Sequence, residues 1–388
     1  MQLTELNHPL EKRIRRHLHG PVHEFRAVCH IGFENIAAQE MALIVPSFKY
    51  EITRGAVDFK AKLADVWKIL AHARTITRVL MRIASFKAEN FGRLKKEIQN
   101  IPWELYLPIG NLPKILVTSH ASRLYHSGAV EETVQPVLEE KLQTGGPPQK
   151  PLTETQSVYL VFQNDVCLVS IDLAGELLYK RGFSKFTERA PLRETLAASI
   201  LFAGGLFQTK TLLDPMAGSG TFSLEAAFFA SRKIPGICRR FAFMEQPAYS
   251  ETSWKHILKN AGGEPLLPLE KIRCTDKDSK AVKTILHNAE SAGFENRIEI
   301  AEADFFSLRT AGFPEPLLWA LNPPYGKRIP ADSVLLYKEI GKKIRRDLLP
   351  HTGALICPNA ACKKALNLPE KKSISTLNGG ISVEVLFY

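Results

Sequence analysis

Cysteine is sparse and scattered in this chain: Cys29, Cys167, Cys238, Cys274, Cys357 and Cys362 form no C-x-x-C pair and no cysteine/histidine group at zinc-finger spacing. That spacing argues against both a disulfide framework and a bound metal. Long apolar runs are missing as well, since no uninterrupted stretch approaches the roughly 18 residues that a membrane-spanning helix needs. The first residues, Met1-Gln2-Leu3-Thr4-Glu5, lack the basic start and apolar continuation of a secretory leader. A reduced, cytoplasmic protein with no membrane partner is expected. Internal repeats and low-complexity tracts are also absent, so folding is expected along nearly the whole length.

A chain of 388 residues has room for two or three domains at roughly 100 to 200 residues each. Hydrophobic residues at 45% and charged residues at 23% give the balance of an ordinary globular protein with a substantial core. Lysine and arginine outnumber the acids by 51 to 40, a formal charge of +11. Such an excess attracts a polyanion, because each phosphate neutralised releases condensed counterions, although a basic soluble enzyme fits the same charge.

The apolar periodicity changes character along the chain. A strand at Phe25 to Cys29, a helix from Glu34 to Leu43 and a strand at Ala56 to Phe59 suggest a small α+β unit. Helices from Leu63 to Ala73, Phe91 to Ile98 and Val130 to Leu142 then alternate with strands at Arg78 to Phe86 and Lys114 to Ser119, up to Gly145-Gly146-Pro147-Pro148. Two alternating strands, Val158 to Phe162 and Val166 to Asp172, joined by Gln163-Asn164-Asp165, complete this half. The rest alternates β and α: strands at Thr211 to Leu213, Lys271 to Thr275, Arg297 to Ala301, Leu317 to Leu321 and Ala354 to Cys357, with helices from Thr221 to Ser231, Ser279 to Ser291 and Val334 to Leu348. Ser373 to Thr376 and Ser382 to Phe387 read as antiparallel edge strands. Parallel strands joined by helices form a doubly wound sheet whose ligands sit at the strands' carboxyl ends.

One such strand end reads Leu212-Leu213-Asp214-Pro215-Met216-Ala217-Gly218-Ser219-Gly220-Thr221, a buried strand turning through small residues into an apolar helix. Gly218 and Gly220 allow a ligand close to the backbone at a helix N-terminus. No lysine follows Gly220, as a P-loop requires, and Ser223 stands where a dinucleotide motif has its third glycine. An adenosyl site of the methyltransferase kind is left, beside the plain reading of a glycine-rich turn. Further along, Asp276 ends the second strand, where a carboxylate can accept ribose hydroxyls, and Asp304 ends the third, within reach of an adenine amino group. Either aspartate alone is an ordinary turn or cap residue. The fourth strand ends in Leu321-Asn322-Pro323-Pro324-Tyr325-Gly326, whose two prolines cannot extend a ladder and fix the backbone at Asn322.

Asp-Pro-Met-Ala-Gly-Ser-Gly-Thr followed by Asn-Pro-Pro-Tyr resembles the class I methyltransferases that modify exocyclic amino groups of bases. Tyr179-Lys180-Arg181-Gly182-Phe183, the run from Ala190 to Ala198 and Asn378-Gly379-Gly380 extend the resemblance to the bacterial THUMP-containing guanine-N2 methyltransferases of large-subunit ribosomal RNA. Gly32-Phe33-Glu34, Gly55 to Phe59 and Arg74 to Leu80 are similar to that family's N-terminal part. Ala217 stands where a cysteine is common, and Cys274-Thr275-Asp276-Lys277-Asp278 replaces Gly-Ser-Asp-Ile-Asp, which leaves open whether Asp276 or Asp278 faces the ribose. The second methyltransferase half of some fused relatives is expected to be missing after Tyr388.

The resemblance implies an α/β fold: a Rossmann-like class I methyltransferase domain over residues 176–388, preceded by an α+β ferredoxin-like region at 1–65 and a THUMP-like RNA-binding domain at 66–175. S-adenosyl-L-methionine is the implied cofactor, held by Asp214, Pro215, Ala217, Gly218, Ser219, Gly220, Thr221, Asp276, Lys277, Asp304 and Asn322. Asn322, Pro323, Pro324 and Tyr325 carry the chemistry. The expected partner is RNA, ribosomal ahead of transfer RNA, and the expected reaction is methylation at guanine N2. A transfer-RNA guanine-N2 enzyme, a DNA or RNA adenine-N6 enzyme and a non-catalytic ribosome assembly factor remain alternatives. Lys12-Arg13-Ile14-Arg15-Arg16, Arg93-Leu94-Lys95-Lys96 and Lys342-Lys343-Ile344-Arg345-Arg346 are candidate phosphate contacts or solvated helix faces.

Overall fold

The computed structural model describes residues 8–46, 49–143, 152–183, 185–186, 192–231, 233–259, 268–325 and 333–388. Gly145-Gly146-Pro147-Pro148, Ala190-Pro191 and Gly326 lie outside them. Two compact units emerge: one takes residues 1–28, 41–178 and 239–259, the other 29–40, 179–238 and 260–388.

The first unit is built on seven strands: β1 (His23–Cys29), β2 (Lys49–Thr53), β3 (Ala56–Ala61), β4 (Ile76–Lys87), β5 (Lys114–His120), β6 (Ser157–Gln163) and β7 (Val166–Asp172), in the order β2-β3-β1-β4-β7-β6-β5. Alternate residues of β1 face inward, the period-two pattern of a half-buried strand. The expected hairpin is present, but Gln163 belongs to the strand, and only Asn164 (φ +50°) and Asp165 (φ +63°) make the turn. Two residues at positive φ match the right-handed twist of the strands they join. Asn90 caps the helix Phe91–Asn100 by accepting the Arg93 N–H at 2.9 Å. Residues 239–259 bring in Phe243, which stacks on Trp67 with centroids 5.2 Å apart, and Gln246, which donates to the Asp172 carbonyl at 3.1 Å. The short strand β2 and the helix Glu251–Lys259 were not foreseen from the sequence, although the helix does bury Trp254 and Ile257, three residues apart on one face.

The second unit has β8 (Thr211–Asp214), β9 (Lys271–Asp276), β10 (Glu299–Glu302), β11 (Leu317–Leu321), β12 (Thr352–Cys357), β13 (Lys372–Asn378) and β14 (Ile381–Phe387) in the order β10-β9-β8-β11-β12-β14-β13. The first five are parallel, whereas β14 runs antiparallel to both β12 and β13. Of these two, β13 lies at the edge, whereas β14, with Val383, Val385 and Leu386 buried, is interior. All five residues of β11 are buried, as a strand covered on both faces requires. Leu318 and Ala320 join one core with the helices Glu194–Ala203, Thr221–Ala230 and Ser279–Ala292. Leu317, Trp319 and Leu321 join the other with the helices Ser333–Lys343 and Ala360–Leu366. The helix expected from Val334 to Leu348 widens into a π turn over Ile344–Leu348, and Thr221–Ala230 is buried on every side, so its apolar residues show no single face.

Trp319 is fully buried and stacks on Tyr388. A Cβ on Gly353 of the neighbouring β12 would lie 1.8 Å from the indole. The Gly353→Ala variant is expected to lose at least about 1–3 kcal/mol, the scale of core overpacking, read as a lower denaturation midpoint.

Candidate active site

Strand order reverses between β8 and β11: the helix after β8 packs into one core and the helix after β11 into the other. Two connections that part in this way open a crevice at the strands' carboxyl ends. Asp214 ends β8 and Asn322 follows directly on β11, so the sheet itself brings together two residues 108 positions apart (322 − 214).

The turn between them is held from several sides. Gly218 (φ +58°) and Gly220 (φ +77°) occupy the left-handed region, and Gly220 caps the helix Thr221–Ala230. A Cβ on Gly220 would press on Ile285 at 3.1 Å, while one on Gly218 would meet nothing within 4 Å. One glycine is thus required by packing, and the other faces open space in which a ligand can approach the backbone. Ala217 N–H donates to the Thr275 carbonyl at 3.1 Å, and Gly218 N–H donates to Asp276 Oδ2 at 2.9 Å. The second strand's terminal carboxylate therefore lies against the glycine turn.

Asp276 and Asp278 separate cleanly. Asp278 caps the helix Ser279–Ala292, accepting the Lys280 N–H at 2.9 Å, and its own N–H donates to Asp276 Oδ1 at 3.0 Å. Asp276 is half-buried on the turn, whereas Lys277 and Asp278 are exposed. Asp304 is exposed past the end of β10, accepting the Phe306 N–H at 3.4 Å, while Ala303 N–H reaches the Asp276 carbonyl at 3.0 Å. Pro215 is buried; Ala217 and Ser219 are half-buried.

Asp214 is 1% exposed and accepts both the N–H and the hydroxyl of Ser223, at 3.2 and 2.9 Å. Burial pushes its carboxyl up to about 7, against the downward pull of the Ser223 bonds, and the nearby Asp276 adds to the rise.

At the other wall, Pro323 is buried, Pro324 exposed, and Asn322 and Tyr325 half-buried. The Asn322 Oδ1 atom is itself buried and has no hydrogen-bond partner. Buried polar atoms are almost always paired, so an unsatisfied acceptor held on a proline-fixed backbone marks a place for a donor from outside. Asn378 donates from Nδ2 to the Tyr325 hydroxyl.

Three further groups brace the turn without having stood out in the sequence. Asn288, 0% exposed, donates to the carbonyls of Ser219 and Phe186 at 3.1 and 3.0 Å and accepts the Phe186 N–H at 2.8 Å. Lys185 bridges Thr221 Oγ1 and Glu194 Oε1 at 2.9 and 2.6 Å. Arg181 forms a buried pair with Glu225 of the apolar helix at 2.9 Å. Arg181 belongs to the family-like run, so a charged residue there was a signal; Asn288 sits in an ordinary amphipathic helix and gave none.

The basic clusters divide. Arg13, Arg15 and Arg93 pair with Glu104, Glu11 and Glu97 on partly exposed surfaces. Lys343 is 4% exposed, donating to the Phe306 and Leu308 carbonyls and pairing with Asp347 at 2.7 Å. It is an interior cation that ties the π turn to the chain after β10, and is removed from the candidate phosphate contacts. Among the described residues, no group of three or more His, Cys, Asp or Glu is placed to hold a metal ion, and no helix is long and apolar enough to cross a membrane.

Fold and site together define a methyltransferase-type α/β unit. Residues 181–385 match the family described as RMKL-like, methyltransferase domain, and residues 24–80 match the RlmL ferredoxin-like domain. The first match covers more than half of the chain, which therefore belongs to the RMKL-like methyltransferase-domain family. Ribosomal RNA large subunit methyltransferase K/L of Syntrophotalea carbinolica is 27% identical over 380 residues, covering 94% of this chain and 53% of that protein. A putative RNA methyltransferase of Synechocystis is 28% identical over 372 residues, covering 92% and 94%. The chain spans about half the length of the K/L relatives that it matches. A possible methylase from Clostridium difficile superposes with TM-score 0.83 at 26% identity, covering 95% of this chain and 98% of that one. A putative methyltransferase solved in complex with SAH shares the fold at TM-score 0.82 and 24% identity, with the same coverage.

The raised carboxyl of Asp214 predicts a pH dependence of stability. The folded state keeps this proton where the unfolded chain has released it, so its contribution is present below about pH 4 and is lost as the pH climbs to about 7. Burial also raises Asp172 of the first unit, to about 6, and lowers His30 and His72, both to about 4, which act in the opposite direction over the same window. The Asp214 share is therefore read as a difference: as the pH climbs from about 4 to 7, the melting temperature of the parent should drop relative to that of Asp214→Asn.

Proposed function

We propose that this chain transfers a methyl group from S-adenosyl-L-methionine to an exocyclic base amine of RNA, with guanine N2 of large-subunit ribosomal RNA as the target. The observation that carries the reading is the buried, unpartnered Asn322 Oδ1 at the end of β11, across the crevice from a glycine turn with open space at Gly218.

The residues present fit the cofactor. A nucleoside without phosphates needs close backbone approach and a ribose acceptor more than it needs cations, and Gly218 and Asp276 supply these side by side. Asp276, rather than the capping Asp278, is assigned to the ribose hydroxyls, with Lys277 beside it. Asp304 is assigned to the adenine amino group. Pro215, Ala217, Ser219, Gly220 and Thr221 shape the turn, and Asn322 closes the pocket from β11. When bound, S-adenosyl-L-methionine supplies an electrophilic methyl carbon on a sulfonium.

An exocyclic amine is a poor nucleophile because its lone pair is delocalised into the ring. Asn322 Oδ1 and the Pro323 carbonyl accept the two amino hydrogens and turn the lone pair out of conjugation toward the methyl carbon; Pro323 and Pro324 keep both acceptors in place. Tyr325 stacks on the base after it leaves its helix. The RlmL ferredoxin-like match at residues 24–80 supports RNA as substrate, with residues 1–65 and 66–175 assigned to RNA binding. The names of the K/L relatives, which refer to the large ribosomal subunit, support that RNA ahead of transfer RNA, and a cytoplasmic site of action goes with that substrate.

Nucleoside mass spectrometry on ribosomal and transfer RNA from a deletion strain should show less N2-methylguanosine in the large-subunit fraction; unchanged levels in every fraction would overturn the substrate assignment. With tritiated cofactor at saturation, Asn322→Ala should slow transfer about 10²–10³-fold, the scale of losing one transition-state hydrogen bond. Calorimetry should show weakened cofactor binding by Asp276→Ala.

A further inference from the structure

The segment Asn378-Gly379-Gly380 has no part in the mechanism above, yet it reaches the catalytic corner. We propose that Asn378 is a positioning residue for base binding: it pins the Tyr325 hydroxyl from the β13–β14 hairpin and so fixes the ring on which the target base stacks. The proposal rests on the stacking role proposed for Tyr325.

The turn first makes Asn378 rigid. Asn378 pairs with Ile381 across Gly379 (φ +59°) and Gly380 (φ +86°), a two-residue connection with both central residues in the left-handed region. Such turns lock the register of the strands they join, and glycine takes this conformation without steric cost. Asn378 is thereby presented at a fixed point of the sheet, and its Nδ2 donates to the Tyr325 hydroxyl 53 residues earlier in the chain.

The state of the amide's other atom sharpens the argument. Asn378 Oδ1 is buried without a hydrogen-bond partner, as Asn322 Oδ1 is on the far side of the two prolines. An apolar residue at this hairpin tip would fill the space without leaving a buried acceptor unpaired. What the asparagine adds is its bond to the tyrosine.

The bond to Asn378 adds a hold at the hydroxyl end of Tyr325. Pro323 and Pro324 fix the main chain just before it, but they leave its side-chain torsions free. Its ring packs partly against the core that contains Val383 and Val385 of the same hairpin. With the backbone end set by the prolines and the hydroxyl end by Asn378, the ring is constrained along its length. A preorganised ring spares the ordering cost when a base arrives.

The test uses the full chain, tritiated S-adenosyl-L-methionine and large-subunit RNA from a strain lacking the gene, with Asn378→Ala, Tyr325→Phe, their combination and Tyr325→Ala. Each of the first two should raise KM for RNA about tenfold, the scale of one hydrogen bond, with cofactor affinity by calorimetry within about twofold of the parent. The combined variant should be no worse than either alone, since both delete the same bond. Additive losses, or a parental KM in Tyr325→Phe, would overturn the role of Asn378. Because Tyr325→Phe leaves the hairpin intact, it decides the matter even if Asn378→Ala folds poorly. Tyr325→Ala reports on the underlying reading: transfer at the parental rate would remove the stacking role itself, whereas impairment there beside a parental Tyr325→Phe would discard only the pinning by Asn378.

Discussion

Two parallel neighbours, β8 and β11, send their following helices to opposite faces of the sheet, and everything at the site depends on that parting. Where adjacent crossovers go the same way, the connecting segments cover the strand ends; where they diverge, backbone at two ends is left facing a gap. The sequence places its least ordinary backbone at those two ends. On β8 it is a turn with two left-handed glycines, and on β11 a pair of prolines. The first lets a ligand come close and the second keeps an amide from moving away. Neither feature would have use on a strand whose end was covered.

Around this gap the polar groups are supported from behind. Asp214 is buried and bonded to Ser223, and Arg181 is paired with Glu225 on the same apolar helix. Breaking a buried pair leaves a desolvated charge and costs far more than the pair contributes when intact. Such contacts therefore restrict the ways in which the helix Thr221–Ala230 can seat, more than they add net stability. That restriction matters for a helix buried all round, which has no polar face to set its rotation. Asn288 and Lys185 do the same for the turn at its N-terminus.

The sequence made the second unit readable because its parallel strands are short and mostly joined by helices, and because β11 is apolar throughout. Leu317 to Leu321 and the prolines after it could be placed without any knowledge of tertiary structure. The turn at Asn164 and Asp165 was legible in kind but not to the residue, since the strand hydrogen bonds, and not composition, decide that Gln163 is paired. Charge was harder to interpret. Lys342 to Arg346 read as one basic face, yet Lys343 lies on the buried side of the helix Ser333–Lys343 and donates to carbonyls that the chain before it supplies. Asp276 and Asp278 were equivalent in the sequence and become distinct because Asp276 accepts from Gly218, 58 residues before it, while Asp278 caps the helix that follows. Residues 239–259 carry aromatic side chains whose partners lie only partly within the segment: Phe243 packs on Phe241, Tyr249 and Trp254, but it also stacks on Trp67, far upstream.

This last feature bears on how the chain comes into being. The first compact unit draws on residues 239–259, and the second begins with residues 29–40. Neither unit is one uninterrupted length of polypeptide. On a translating ribosome, Trp67 emerges long before the phenylalanine that stacks on it, and Phe33 and Ile36 emerge long before the strands that enclose them. Domains usually close one after another as they leave the exit tunnel. Here the early-made unit must wait until more than half of the chain has been synthesised, so its nascent surface is exposed for a time set by elongation and not by its own folding rate.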